Sequence, residues 1–93
     1  MLDIFAVKIS KRAMKDFDKV PLYIAIKLQS WIMNVGMHGL RATQAINGFR
    51  DELLKGDREG QRSIRLNRAY RAIYIIEREE CWLEIIEVMK HEY

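Results

Sequence analysis

Four arginines, Arg62, Arg65, Arg68 and Arg71, fall within ten residues, and no acidic residue stands between Glu59 and Glu77. Guanidinium groups fork onto phosphate oxygens in bidentate geometry, so such a run suits a phosphate-binding surface. The plainer alternative is a solvated strand face balanced by the glutamates that follow. Arg71 is the one that packing explains least. It lies in Tyr70-Arg71-Ala72-Ile73-Tyr74, among apolar and aromatic neighbours. A buried guanidinium without a partner is costly, so Arg71 must either reach a carboxylate, Glu84 or Glu87 on the next strand, or open onto a cleft and clamp a phosphate.

The other reactive side chains are few. On a two-residue strand period Glu87, Met89, His91 and Tyr93 share a side, which leaves His91 as either a solvated tail residue or a functional one. Lys55-Gly56 and Arg58-Glu59-Gly60 form a flexible basic loop ahead of the arginine run, without the GxxxxGK[ST] spacing of a P-loop. His38 reads as a loop residue between glycines, and Cys81 as a small core residue opening a strand. Two distant histidines and one cysteine do not give the ligand spacing of a metal site, so none is expected.

The elements that must position these groups follow from periodicity. Residues 2–9 read as a strand. Ser10 is a good N-cap for a short helix over residues 11–20, and Pro21 restarts a second helix over about 22–35. That helix is apolar on two faces, Ile24, Leu28, Trp31 and Val35 on one, with Leu22, Ala25, Ile26, Ile32 and Met33 largely forming the other. The second face is either core or a docking surface for a partner. Residues 36–39 end the helix, and residues 40–46 allow one more helical turn. From Gly60 the period drops to two, with Arg62, Ile64 and Leu66 facing one way and Ser63, Arg65 and Asn67 the other. A tight turn at Asn67-Arg68 leads to an apolar strand over 69–76 that belongs at a sheet centre, and an acidic turn over 77–80 leads to a last strand over 81–90. The expected order is β-α-α-β-β-β, an N-terminal strand, a helical hairpin and an antiparallel meander in a two-layer α+β fold.

Composition limits the function classes. Ninety-three residues make one domain, 1–93, and 49% hydrophobic with 31% charged residues is globular rather than disordered composition. A single cysteine points to a reducing cytoplasm rather than a disulfide-stapled secreted scaffold. No apolar run reaches the ~18 residues of a membrane span, and the N-terminus lacks the basic start of a signal peptide. The net charge of +3 is small, but residues 1–50 carry eight basic against three acidic residues, and residues 73–93 carry two against six.

The run ELLKGDREGQRSIRLN over residues 52–67, then YRAIY over 70–74 and the ending EVMKHEY over 87–93, resembles the RelE/HigB/YoeB toxin superfamily. The likeness covers about the last half of the chain by motif and the first half by element order. It implies a RelE-like fold and the toxin of a bacterial type II toxin–antitoxin pair. It further implies a metal-independent, cofactor-free endoribonuclease that cuts mRNA, commonly in the ribosomal A site. By that resemblance Arg71 falls on the arginine that binds the scissile phosphate and Arg65 on a second basic strand position. His91 falls near the C-terminal general acid, Glu52 on the general base of the YoeB-like branch, and Lys55 on a basic loop position. Arg58, Arg62, Arg68, Lys90 and Tyr93 complete the expected RNA-binding surface. Two departures stand out: Glu92 separates His91 from Tyr93, where the YoeB branch ends His-Tyr, and no histidine lies near Lys55, where the HigB branch has one.

The implied partners are a small antitoxin, often with a helix-turn-helix DNA-binding domain, the mRNA and the ribosome; operator DNA would be met only through the antitoxin complex, and no membrane is involved. Two other readings stay open at this level. A ParE-like toxin would inhibit DNA gyrase without catalysis, though that branch generally lacks the arginine, histidine and carboxylate set. A non-catalytic module would use its basic strand only for DNA within a complex.

Overall fold

The computed structural model describes residues 2–90. Strand β1 (Ala6–Ile9) ends at Ser10, whose hydroxyl accepts from the Ala13 N–H at 3.0 Å and caps helix α1 (Lys11–Lys19). The chain bends at Pro21 into helix α2 (Leu22–His38), the Pro21 carbonyl accepting from Ile24 and Ala25. Helix α2 runs three residues past its expected end. Gly36 costs an exposed helix only about 1 kcal/mol, and burial of Ile24, Leu28, Trp31 and Val35 outweighs that. His38, expected in a loop, is therefore the last helical residue. Gly39, at φ +89°, makes the stop: its N–H donates to the Val35 carbonyl, and the Asp3 carboxylate fills the space a side chain would need. A short helix α3 (Leu40–Gln44) follows.

The remaining strands are β2 (Glu52–Leu53), β3 (Arg62–Arg65), β4 (Tyr70–Glu77) and β5 (Trp82–Lys90). They form one sheet in the order β1-β5-β4-β3-β2, with β1 parallel to β5 and the other pairs antiparallel. The apolar strand over the YRAIY segment takes the centre, as its composition requires. The helices cover one face, where Trp31 and Tyr74 are fully buried with ring centroids 5.0 Å apart among Ile24, Leu28, Ile64, Leu83 and Ile85. The α+β order of strand, helical hairpin and meander is as expected.

Three details differ. Only Ala6–Ile9 of the expected first strand joins the sheet. Before it, the Asp3 carboxylate accepts from the backbone of Ile4 and Arg41, and the Ile4 carbonyl accepts from Leu40, so residues 2–5 serve the start of α3 instead. Cys81 is not core: it is half-buried at φ 58° in the turn before β5, where its thiol faces the Arg78 carbonyl. Strand β2, two residues long, gives too short a pattern to announce itself in sequence.

Candidate active site

The sheet face turned away from the helices carries the polar chemistry. Strand pairing sets Glu52 beside Ser63, Ser63 beside Ile73 and Ile73 beside Glu87, one row across four strands. The next row along is Arg65, Arg71 and Met89. Arg65 and Arg71 are thus direct cross-strand partners, with Cβ atoms about 5 Å apart. Like charges placed that way repel, and neither arginine forms an ion pair with a described carboxylate. The Arg65 Nε donates to the Asn67 carbonyl at 3.3 Å, whereas Arg71 forms no ion pair or side-chain hydrogen bond with a described residue.

The internal ion pair weighed for Arg71 does not form. Glu87 is taken by Arg58, at 2.7 Å, and by Arg12, at 3.3 Å, while Glu84 stands opposite Ile75, four residues further along β4. Arg71 instead lines a groove of about 330 Å³ with Glu52, Leu54, Arg58, Ser63, Ile73 and Met89. The groove has a positive guanidinium wall, an exposed carboxylate at Glu52 and an apolar floor at Ile73. It can seat a phosphodiester with a base or ribose against its floor.

The aim of β5 into this groove depends on a bulge. Tyr74 opposes Ile85 but Ile73 opposes Glu87, so Ile86 is an extra residue. Without it the alternation set by Leu83 and Ile85 would bury Glu87 and Met89 under the helices. Helix α1 holds the bulge: Ser10 donates its hydroxyl to the Ile86 carbonyl at 3.1 Å, and Asp16 accepts from the Val88 N–H at 3.0 Å. The sequence shows neither contact.

The other expected site residues are spread differently. Arg62 is a correction. It faces the helix-covered side, where its Nε donates to Asp51 at 2.7 Å, and the Asp51 side chain is 1% exposed. Alternation already separated Arg62 from Arg65, and the buried carboxylate claims the guanidinium. Tyr74 donates its hydroxyl to the other Asp51 oxygen at 2.5 Å and accepts from Gln44. Burial lowers the Arg62 proton affinity, but Asp51 more than restores it, holding the guanidinium above its ordinary value. Burial and the Asp51 carboxylate push the Tyr74 phenol up. This cluster fixes the residue immediately before Glu52. The only hint of it in sequence is a tyrosine within an apolar strand, whose buried hydroxyl needs a partner.

Arg58 reaches the groove, bridged to Gln61 and Glu87. Lys55 is exposed in the loop after β2, and Arg68 is exposed in the β3–β4 turn, which the Asn67 side chain closes by accepting from Ala69 and Tyr70. Lys90 pairs with Tyr70 and alternates to the side opposite Arg71. His91 and Tyr93 lie outside the described residues. Among those described, no cluster of His, Cys, Asp or Glu has the makings of a metal site, and no helix is long and apolar enough to cross a membrane.

No protein-family model and no curated protein matches the sequence. Solved structures do match the fold. A YoeB/ParE toxin from Agrobacterium tumefaciens superposes with a TM-score of 0.73 at 21% identity, over 94% of this chain and 99% of that one. The YoeB dimer from Staphylococcus aureus gives 0.69 at 18% identity, over 96% and 98%. The archaeal RelE–RelB complex from Pyrococcus horikoshii gives 0.71 at 18% identity, over 92% and 93%. The chain therefore has the RelE/YoeB toxin fold along nearly its whole length.

Proposed function

We propose that this chain is the toxin of a type II toxin–antitoxin pair and an endoribonuclease that cuts mRNA in the ribosomal A site. The observation that carries the reading is the Arg65–Arg71 pair: two arginines directly opposed across neighbouring strands, Arg71 lining the groove, with neither in an ion pair with a described carboxylate. A fold does not keep a repulsive pair for stability, and an incoming phosphate removes the repulsion. The shared RelE/YoeB fold supports the same reading.

RNA brings its own nucleophile, the 2′-hydroxyl, so the residues needed are a base, a phosphate clamp and an acid. Glu52 takes the 2′ proton as the oxygen attacks the adjacent phosphorus. Arg71 and Arg65 stabilise the extra charge on the pentavalent phosphorus, the step where preorganised cations contribute most. His91 gives a proton to the departing 5′-oxygen. The products are a 2′,3′-cyclic phosphate and a 5′-hydroxyl. Arg58, which lines the groove, and the exposed Lys55 and Arg68 border the path of the flanking strand. The partner is a small antitoxin that covers this basic groove and alone carries the pair to operator DNA.

The test is the double substitution Arg71→Ala with His91→Ala, induced in growing cells beside the unaltered chain. The proposal expects growth arrest and new 5′-hydroxyl RNA ends from the unaltered chain, and neither from the variant. Arrest by a folded variant, as a gyrase-directed toxin would give, overturns it, and so do 5′-phosphate ends.

A further inference from the structure

Ser63 is the residue of the groove that packing does not explain. It is 1% exposed, yet its hydroxyl forms no hydrogen bond with a described residue. Thr43, the other buried polar residue among those described, has the Asn34 side chain and the Gly39 carbonyl within reach at 2.9 and 2.8 Å. A buried hydroxyl left unpaired costs stability, and alanine in its place would not carry that cost. The fold gains nothing from serine here, so the hydroxyl serves something that enters the groove. Ser63 is also the smallest side chain lining that groove, which leaves space directly above it. Strand pairing sets it beside the exposed Glu52, with Cβ atoms about 5 Å apart. On the other side its partner on β4 is Ile73, and Arg71 stands on the diagonal, about 7–8 Å away. The hydroxyl therefore lies between a carboxylate and a guanidinium that has no ion pair.

A phosphodiester clamped on Arg71, with its attacking ribose turned to Glu52, puts one atom over Ser63: the 2′-oxygen. We propose that Ser63 binds this 2′-hydroxyl, its O–H donating to the 2′-oxygen while Glu52 accepts the 2′ proton. The proposal rests on the ribonuclease reading and adds the residue that holds its nucleophile. A hydroxyl has one proton and two lone pairs. With the proton directed to Glu52 and one lone pair taken by Ser63, the other lone pair is left to face the phosphorus. As the 2′ O–H bond breaks, its proton passes to Glu52 and the oxygen forms the new O–P bond. The bond from phosphorus to the 5′-oxygen then breaks, and that oxygen takes its proton from His91. Ser63 keeps its own proton throughout. Its hydrogen bond stabilises the charge that builds on the 2′-oxygen before the new bond closes. The same contact names the nucleic acid. A 2′-deoxy chain leaves the Ser63 hydroxyl unpaired beneath the bound strand, and a site built to bond a hydroxyl rejects the analogue without one.

The experiment compares the parent chain with Ser63→Ala on programmed ribosomes. Single-turnover cleavage is measured on an mRNA, and binding on ribosomes carrying the same mRNA with deoxyribose at the cut position. Ser63→Ala is expected to slow cleavage at saturation about tenfold or more. It is expected to bind the deoxy message as tightly as the parent does, because there the serine has no hydroxyl to hold. Its urea midpoint should stay level or rise, as an unpaired hydroxyl is removed. Cleavage by Ser63→Ala near the parental rate overturns the proposal and leaves the ribonuclease reading standing. Weaker binding of the deoxy message overturns it too, since Ser63 then shapes the groove instead of bonding the nucleophile. So does a variant that unfolds more easily, which gives the hydroxyl to the fold. A parent chain that cuts no RNA overturns the ribonuclease reading and this proposal together.

Discussion

Arg65 and Arg62 are three residues apart on one strand and have opposite fates. Arg65 joins Arg71 above the groove, while Arg62 turns inward to a carboxylate that is almost fully buried. Strand alternation made that division legible in the sequence, but not its consequence, because the partner, Asp51, lies eleven residues earlier in a segment without a recognisable period. Removing Asp51 strands a half-buried guanidinium and a buried hydroxyl together. Asp51→Ala is expected to cost about 3 kcal/mol or more in urea unfolding. Tyr74→Phe removes two hydrogen bonds, the one donated to Asp51 and the one accepted from Gln44, and is expected to cost about 2 kcal/mol. A loss below the tyrosine value for Asp51→Ala would show that the cluster does not hold the chain before Glu52.

At the scale of elements, the strands carrying the arginines were readable because their period of two persists, and α2 because its buried stripe repeats at helical spacing. Two things were not. Strand β2 is two residues long, so no period can show, yet it places Glu52 on the groove. The bulge at Ile86 depends on Ser10 and Asp16, more than seventy residues away in sequence. Asp16→Ala is expected to cost about 1–2 kcal/mol, since it leaves the Val88 N–H without its acceptor. Hydrogen exchange locates the effect: the Val88 amide should exchange faster, while amides at the centre of β4 change only as global stability does. Equal protection of Val88 in both proteins would remove α1 from its role in aiming β5.

For the whole molecule, the buried Tyr74 phenol links stability to alkaline pH. Its proton is held more tightly in the folded chain than at the ordinary value of 10.0, through burial first and the Asp51 carboxylate second. Folding therefore favours the protonated form. The contribution is complete below about pH 10 and is lost as pH rises beyond it. Urea midpoints are expected to fall between neutral pH and about pH 11, and Tyr74→Phe to flatten part of that fall; an unchanged slope would contradict it.

Across that same fold the basic groove and the helix-covered core occupy opposite faces of one sheet, which lets the site be altered without unfolding the chain. Rates of mRNA cleavage on programmed ribosomes, measured beside urea unfolding for the parent chain, Arg71→Lys and Arg71→Ala, use that separation. Alanine is expected to lose about 100-fold or more, and lysine, which keeps the charge but not the fork, less. Stability should stay level or rise by a few tenths of a kcal/mol as the repulsion with Arg65 is relieved. An alanine variant that cuts at nearly the parental rate, or one that unfolds several kcal/mol more easily, would contradict a phosphate-binding Arg71.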